Sequence, residues 1–189
     1  TEEDLARFKE EFLKVVKIAA WNTGGSQFLS KNPPHTGRVK ELLKIFPNAK
    51  FIYLMRNPYT VFESTRSFFS NTIKPLQLQD ISEEELTENI LTTYTKLYDK
   101  YQADKALIPE ANLDELKYED FEADAYNLTK QLYATLQIPG WEEAESAIRQ
   151  YTDVKKSYKK NNYAYKPETI ALVNQHWHQA IEDWGYETL

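Results

Sequence analysis

Two short stretches of this chain hold side chains whose types and spacing suit group transfer at an anion. In Leu29-Ser30-Lys31-Asn32-Pro33-Pro34-His35-Thr36 a lysine and a histidine flank two prolines. Lys31 offers a cation to a charged leaving group, and His35, with an ordinary pKa of about 6.5, can take a proton as a general base. The prolines fix the backbone between them and limit how far the two side chains wander. In Phe51-Ile52-Tyr53-Leu54-Met55-Arg56-Asn57-Pro58 an apolar run delivers Arg56, and Ser64 follows eight residues later. A guanidinium forks two hydrogen bonds onto a phosphate, and a hydroxyl two helical turns on reaches the same oxyanion if the helix crosses beside the strand tip. Plainer readings stand beside these. Arg56 can pair with a carboxylate such as Glu63, Ser64 can be an ordinary small helix residue, His35 can donate to a turn carbonyl, and Lys31 can be solvated.

The elements needed to hold these groups are legible in outline. Lys50 to Met55 is nearly continuous apolar sequence, which predicts a strand buried on both faces. Pro58 near a first turn predicts a helix running to about Phe69. Gln27 to Ser30 is a short strand candidate, Thr36 a candidate N-cap, and Arg38 to Ile45 a brief helix. Leu5, Phe8, Phe12, Val15 and Val16 recur at helical spacing within Glu2 to Ile18, and Asn22-Thr23-Gly24-Gly25 breaks that helix. Asn71 to Gln79 reads as a loop. Ser82-Glu83-Glu84-Glu85 resembles a capping box opening a long helix to about Lys105. Leu113 to Tyr118 suits another short strand, Ala123 to Leu136 and Glu142 to Gln150 suit helices, and Tyr151 to Tyr165 is basic, aromatic and irregular. Pro167 opens a last helix to about Asp183, on which Trp177, and Trp184 at its exit, read as core residues. No internal repeat and no linker divides the chain, so one domain over residues 1–189 is expected.

Composition narrows the function classes. Hydrophobic residues make up 41% of the 189, and aromatics 14%, which suits a folded core rather than disorder. A net charge of -6 argues against a general nucleic-acid coat while leaving room for a local basic pocket. The absence of cysteine excludes disulfides, thiolate catalysis and cysteine zinc sites. His176 and His178 sit two apart and so do not share a helical face as metal ligands would. No apolar run is long enough to span a bilayer and no signal-peptide pattern opens the chain.

Taken together, the motifs resemble the sulfotransferase superfamily, whose members move a sulfuryl group from 3'-phosphoadenosine-5'-phosphosulfate. The run from Leu29 through Lys31, Pro33 and His35 to Arg38, then Leu42-Leu43, Phe46-Pro47-Asn48-Ala49-Lys50-Phe51-Ile52, Arg56-Asn57-Pro58 and Ser64, follows that family's central segment. It is most similar to the branch with a Lys-Ser/Asn-Pro-x-His-Thr motif. Lys117-Tyr118-Glu119-Asp120-Phe121 resembles the family's Tyr-Glu-Asp-Leu element.

The resemblance implies an α/β, P-loop-NTPase-like sulfotransferase fold, helix-rich with a short parallel sheet. It implies that Arg56 and Ser64 bind the donor's 3'-phosphate and that Lys31 sits near the bridging oxygen between sulfate and 5'-phosphate. It makes His35 the base, although other branches use a carboxylate. Asn32 and Thr36 would add amide and hydroxyl donors. Lys159 and Lys160, in a basic segment near the C-terminus, would close over the nucleotide phosphates. The donor acts as co-substrate, no metal is required, and the acceptor is a small molecule, carbohydrate or peptide bearing a hydroxyl or amine. The family's Gly-rich phosphosulfate loop has no counterpart before Phe28, since Asn22-Thr23-Gly24-Gly25-Ser26 follows a helix, precedes a strand and holds no cation. The fold is therefore expected to be incomplete at its N-terminus, with the loop in a missing segment rather than replaced or supplied by a second chain. A cytoplasmic setting is expected, a membrane-anchored or Golgi-lumenal form being the alternative. The competing functions are a P-loop-kinase-like enzyme, disfavoured by the lack of Gly-x-x-x-x-Gly-Lys-Ser/Thr, and a non-catalytic binding domain of the same fold.

Overall fold

The computed structural model describes residues 1–25, 27–155 and 163–189. Helix α1 spans Glu2–Thr23, further than its apolar spacing indicates. Thr1 and Asp4 form a capping box at its start, and Gly24 ends it at φ 62°, a left-handed conformation that glycine adopts without a Cβ penalty. None of its residues is buried. It touches the rest of the chain through Phe12, whose ring meets His35 and Phe46 edge-on at 5.3 and 6.0 Å, and through Phe8, with the Arg38 guanidinium 5.2 Å from its ring centroid.

Gln27 to Ser30 forms no strand. A strand requires a neighbour to take up its N–H and C=O groups, and the described sheet consists of two other segments. Pro33–Arg38 is a tight 3-10 turn rather than the lead-in to a capped helix. Thr36 lies inside it, and the next helix, α2 (Val39–Ile45), begins from Arg38 without a side-chain cap.

Strand β1 (Phe51–Met55) runs parallel to β2 (Leu113–Lys117), with Phe51 opposite Leu113 and Met55 opposite Lys117. The expectation that β1 is covered on both faces is only half met. Phe51 and Tyr53 pack with buried Val39, Tyr101 and Ile108, whereas Ile52 and Leu54 are 43% and 45% exposed.

α3 (Pro58–Phe68) leaves β1 with Asn57 as its N-cap and Pro58 in its first turn. The predicted loop after it begins as one π-helical turn, Phe69–Ile73, then a 3-10 turn, Lys74–Leu76. α4 (Glu83–Asp104) starts with the capping box Ser82–Glu85, as its sequence indicates. After β2 a short helix that the sequence did not indicate, α5 (Tyr118–Ala123), precedes the expected one, α6 (Ala125–Thr135), which starts at Asp124, whose side chain caps Asn127. Asp favours caps over helix interiors because its side chain competes for backbone N–H groups. α7 (Trp141–Lys155) reaches into the stretch read as irregular, and α8 (Pro167–Asp183) has the predicted limits with a kink at Trp177.

The core lies between α3, α4 and α8. Tyr59, Phe62, Leu91, Val173, Trp177 and Ile181 are almost fully buried there. Trp177 donates its indole N–H to the Leu91 carbonyl at 3.1 Å, so its one polar group is satisfied. No described helix is long and apolar enough to cross a membrane.

Candidate functional site

Parallel pairing places the carboxyl ends of β1 and β2 side by side, where α/β proteins bind ligands. Arg56 leaves one strand and Tyr118 the other. The Arg56 guanidinium lies over the Tyr118 ring, 4.4 Å from its centroid. Arg56 makes no ion pair among the described residues. Glu63, its anticipated carboxylate partner, instead accepts a hydrogen bond from Thr169 at 2.7 Å. The contact with Tyr118 neutralises none of the Arg56 charge, which stays available to an anion.

Glu119 closes the junction. Its Oε1 accepts the Asn57 backbone N–H at 3.0 Å and its Oε2 accepts the Tyr186 hydroxyl at 2.8 Å. Burial and that hydrogen bond push the Tyr186 phenol above its ordinary range, so it remains a donor. Lys117 lies over the Tyr186 ring, 4.7 Å from its centroid, and donates to the Gly185 carbonyl at 2.9 Å. The chain following α8 is thereby fastened to the strand ends.

Ser64 sits on α3, half-buried, with its hydroxyl donating to the Val61 carbonyl at 3.1 Å. That local bond is common for a helical serine. To donate to a phosphate the hydroxyl must rotate away from the carbonyl. Thr60, on the same helix, shares a 2.6 Å hydrogen bond with Tyr165.

Lys31 and His35 come from the segment that leads into α2. Lys31 is exposed. His35 stands in the 3-10 turn, with Nε2 at 3.0 Å from the Ser30 hydroxyl and the Phe12 ring edge-on against it. Its Nδ1 is buried without a partner. Burial first, and the Arg38 charge second, hold its pKa below the ordinary value. The imidazole is thus neutral at pH 7, the form a general base requires. Gly37 lets this turn lie close to α4, since a Cβ there would stand 2.9 Å from Leu97 Cδ2. No hydrogen bond, ion pair or ring contact joins the Lys31–His35 group to the Arg56–Ser64 group among the described residues. Lys159 and Lys160 lie outside the described residues.

A cleft of about 650 Å³ opens beside β2, lined in part by Met55, Lys105, Glu115, Lys117, Asp183 and Trp184. None of the four candidate residues described above lines it. Among the described residues no group of His, Asp and Glu is arranged to hold a metal.

A family model described as Sulfotransferase family matches residues 1–143. The chain belongs to the sulfotransferase family. Omega-hydroxy-beta-dihydromenaquinone-9 sulfotransferase Stf3 of Mycobacterium bovis, and the protein of that name from Mycobacterium tuberculosis, are each 34% identical to it over 157 residues, 83% of this chain. The chain spans 40% of their length. Among solved structures it is similar to sulfotransferase STF9 from Mycobacterium avium, with a TM-score of 0.69 and 18% identity over 83% of this chain and 41% of that one. The sulfotransferase domain from the curacin biosynthetic pathway gives a TM-score of 0.55 and 18% identity over 93% of this chain and 68% of that one. At this identity the two likenesses concern the fold: helix-rich, with a short parallel sheet.

Sequence reasoning named the four sulfotransferase candidates but not what holds them. Tyr118 was visible as part of a motif, and its place beneath Arg56 follows from the Met55–Lys117 register, which no local pattern specifies. Ser30 belongs to the same motif run and Phe12 to the helical repeat of α1, but nothing in the sequence indicated their contact with His35.

Proposed function

We propose that this chain takes part in sulfuryl transfer from 3'-phosphoadenosine-5'-phosphosulfate to a hydroxyl of a small-molecule acceptor, on a P-loop-NTPase-like scaffold within one domain. The observation that carries the reading is Arg56 at the end of a parallel strand, in no ion pair among the described residues and with its guanidinium over the Tyr118 ring. Such a guanidinium suits a phosphate better than a surface carboxylate. The one-domain reading is supported by the hydrophobic clusters: the Tyr98–Trp184 cluster shares Tyr94 and Tyr186 with the main core and Tyr53 with the Val39–Tyr101 cluster.

In this proposal Arg56 and Ser64 hold the donor's 3'-phosphate. His35 takes the proton of the acceptor hydroxyl as its oxygen forms the new bond to sulfur. The bond from sulfur to the bridging oxygen breaks, and 3'-phosphoadenosine 5'-phosphate leaves with that electron pair. The Lys31 ammonium offsets the charge growing on the bridging oxygen. Lys159 and Lys160 are assigned to the nucleotide phosphates by resemblance alone. The mycobacterial relatives are named for a hydroxylated dihydromenaquinone, and an acceptor of that lipophilic class, bearing a hydroxyl, is the proposed one here. Positioning and electrostatics supply the catalysis, so no metal is assigned a role.

Calorimetric titration with 3'-phosphoadenosine 5'-phosphate tests the reading. Arg56→Ala is expected to weaken binding by about ten- to a hundredfold, the loss of a charge-assisted contact. Arg149→Ala, on α7, is expected to bind as the unsubstituted chain does. Equal affinity in all three proteins would refute the proposal.

A further inference from the structure

Arg56 needs something to aim it. An arginine at a strand end has rotamer freedom, and ordering it on a ligand costs entropy unless the protein has already restricted it. Two neighbours from the start of α5 act on this exit. Glu119 holds the Asn57 N–H through Oε1, fixing the backbone immediately after Arg56, and is itself held by the Tyr186 hydroxyl on Oε2. Tyr118, half-buried, presents its ring to the guanidinium at 4.4 Å. A carboxylate could also restrain Arg56, but it would neutralise the charge and occupy the N–H groups that an anion needs. An aromatic face restrains the cation while leaving both available.

We propose that Tyr118 is a positioning residue, stacked beneath Arg56 so that the guanidinium edge is preorganised for the donor's 3'-phosphate. This rests on the functional reading above. It requires the ring of Tyr118, not its hydroxyl, whose one contact among the described residues is a long 3.4 Å approach to Glu122. Glu119 carries negative charge beside an anion site and serves through the backbone it holds.

The test compares two nucleotides that differ by one group: 3'-phosphoadenosine 5'-phosphate and adenosine 5'-monophosphate. Their affinity ratio isolates the 3'-phosphate. Arg56→Ala is expected to bring the ratio close to one. Tyr118→Leu is expected to lower it by about two- to fivefold, the worth of an accessible cation–π contact. Tyr118→Phe is expected to retain it. Loss of affinity for both nucleotides alike in Tyr118→Leu would mean the ring serves the nucleoside instead, and would overturn the proposal. If the leucine variant does not fold, Tyr118→Met takes its place. A second measurement needs no ligand. The Arg56 Nε–Hε resonance, assigned by its disappearance in Arg56→Ala, should be displaced by the ring current in the unsubstituted chain and in Tyr118→Phe, and relax toward exposed-arginine values in Tyr118→Leu. An unmoved resonance would overturn the positioning role whatever the nucleotide data show. An Arg56→Ala ratio equal to that of the unsubstituted chain, with the ring-current shift present, would instead fault the functional reading.

Discussion

Arg56 and His35 are held in opposite ways, and each way suits its proposed task. The arginine keeps its charge and rests against the Tyr118 ring. The histidine is kept neutral by burial and by the Arg38 charge. The second effect has a measurable consequence. In the unfolded chain His35 titrates near its ordinary value of 6.5, while in the folded chain it titrates lower. Above that ordinary value both states are neutral and the contribution to stability is complete. As the pH falls below it, the unfolded chain takes up a proton that the folded chain resists, and stability is lost until the folded value is passed. Urea midpoints measured from pH 7.5 down to pH 5 should therefore fall more steeply for the unsubstituted protein than for His35→Asn; parallel curves would contradict the assignment. The spacing of Lys31, His35, Arg56 and Ser64 was readable from the chain alone, because motif and local chemistry coincide there. The hydrogen bond from Ser64 to Val61, the Ser30 partner of His35 and the ring beneath Arg56 were not, since each depends on rotamers or on residues distant in sequence.

Among the elements, those with strong terminal signals were legible to within a residue or two. Ser82 and Glu85 announced α4, and Pro167 announced α8. The Ser82 cap accepts the Glu85 N–H at 3.1 Å while the Glu85 carboxylate accepts the Ser82 N–H at 2.9 Å. α4 supports both the His35 turn, through Leu97 against Gly37, and the sheet, through Tyr101 stacked on Tyr53 at 3.9 Å. Ser82→Ala is expected to cost about 1 kcal/mol of folding stability in chemical denaturation, and no loss would show that the box is not formed in solution. The failures occurred where tertiary context decides. Gln27 to Ser30 has strand-like composition but no neighbouring strand among the described residues, and the short helix α5 before Asp124 carried no periodic signal. The kink at Trp177, with φ -123°, left no trace in an unbroken apolar pattern.

At the scale of the whole molecule the sheet is the informative feature. β1 is apolar at every position, yet it meets a packed core on one face only, leaving Ile52 and Leu54 in solvent. An apolar run signals that a strand can be buried; it does not identify the covering element. The candidate residues stand on separate elements, with Arg56 at the strand end, Ser64 along α3, His35 on the 3-10 turn that meets α1 and α4, and Lys31 just before that turn. In the function proposed above a single ligand reaches from one group to the other. A crystal structure with 3'-phosphoadenosine 5'-phosphate tests this most directly. We expect the 3'-phosphate within hydrogen-bonding distance of the Arg56 guanidinium and of Ser64 Oγ, the latter turned away from the Val61 carbonyl, and the 5'-phosphate directed toward Lys31. A nucleotide seated in the cleft beside β2, its phosphates on Lys105 and Lys117 and Arg56 untouched, would contradict it.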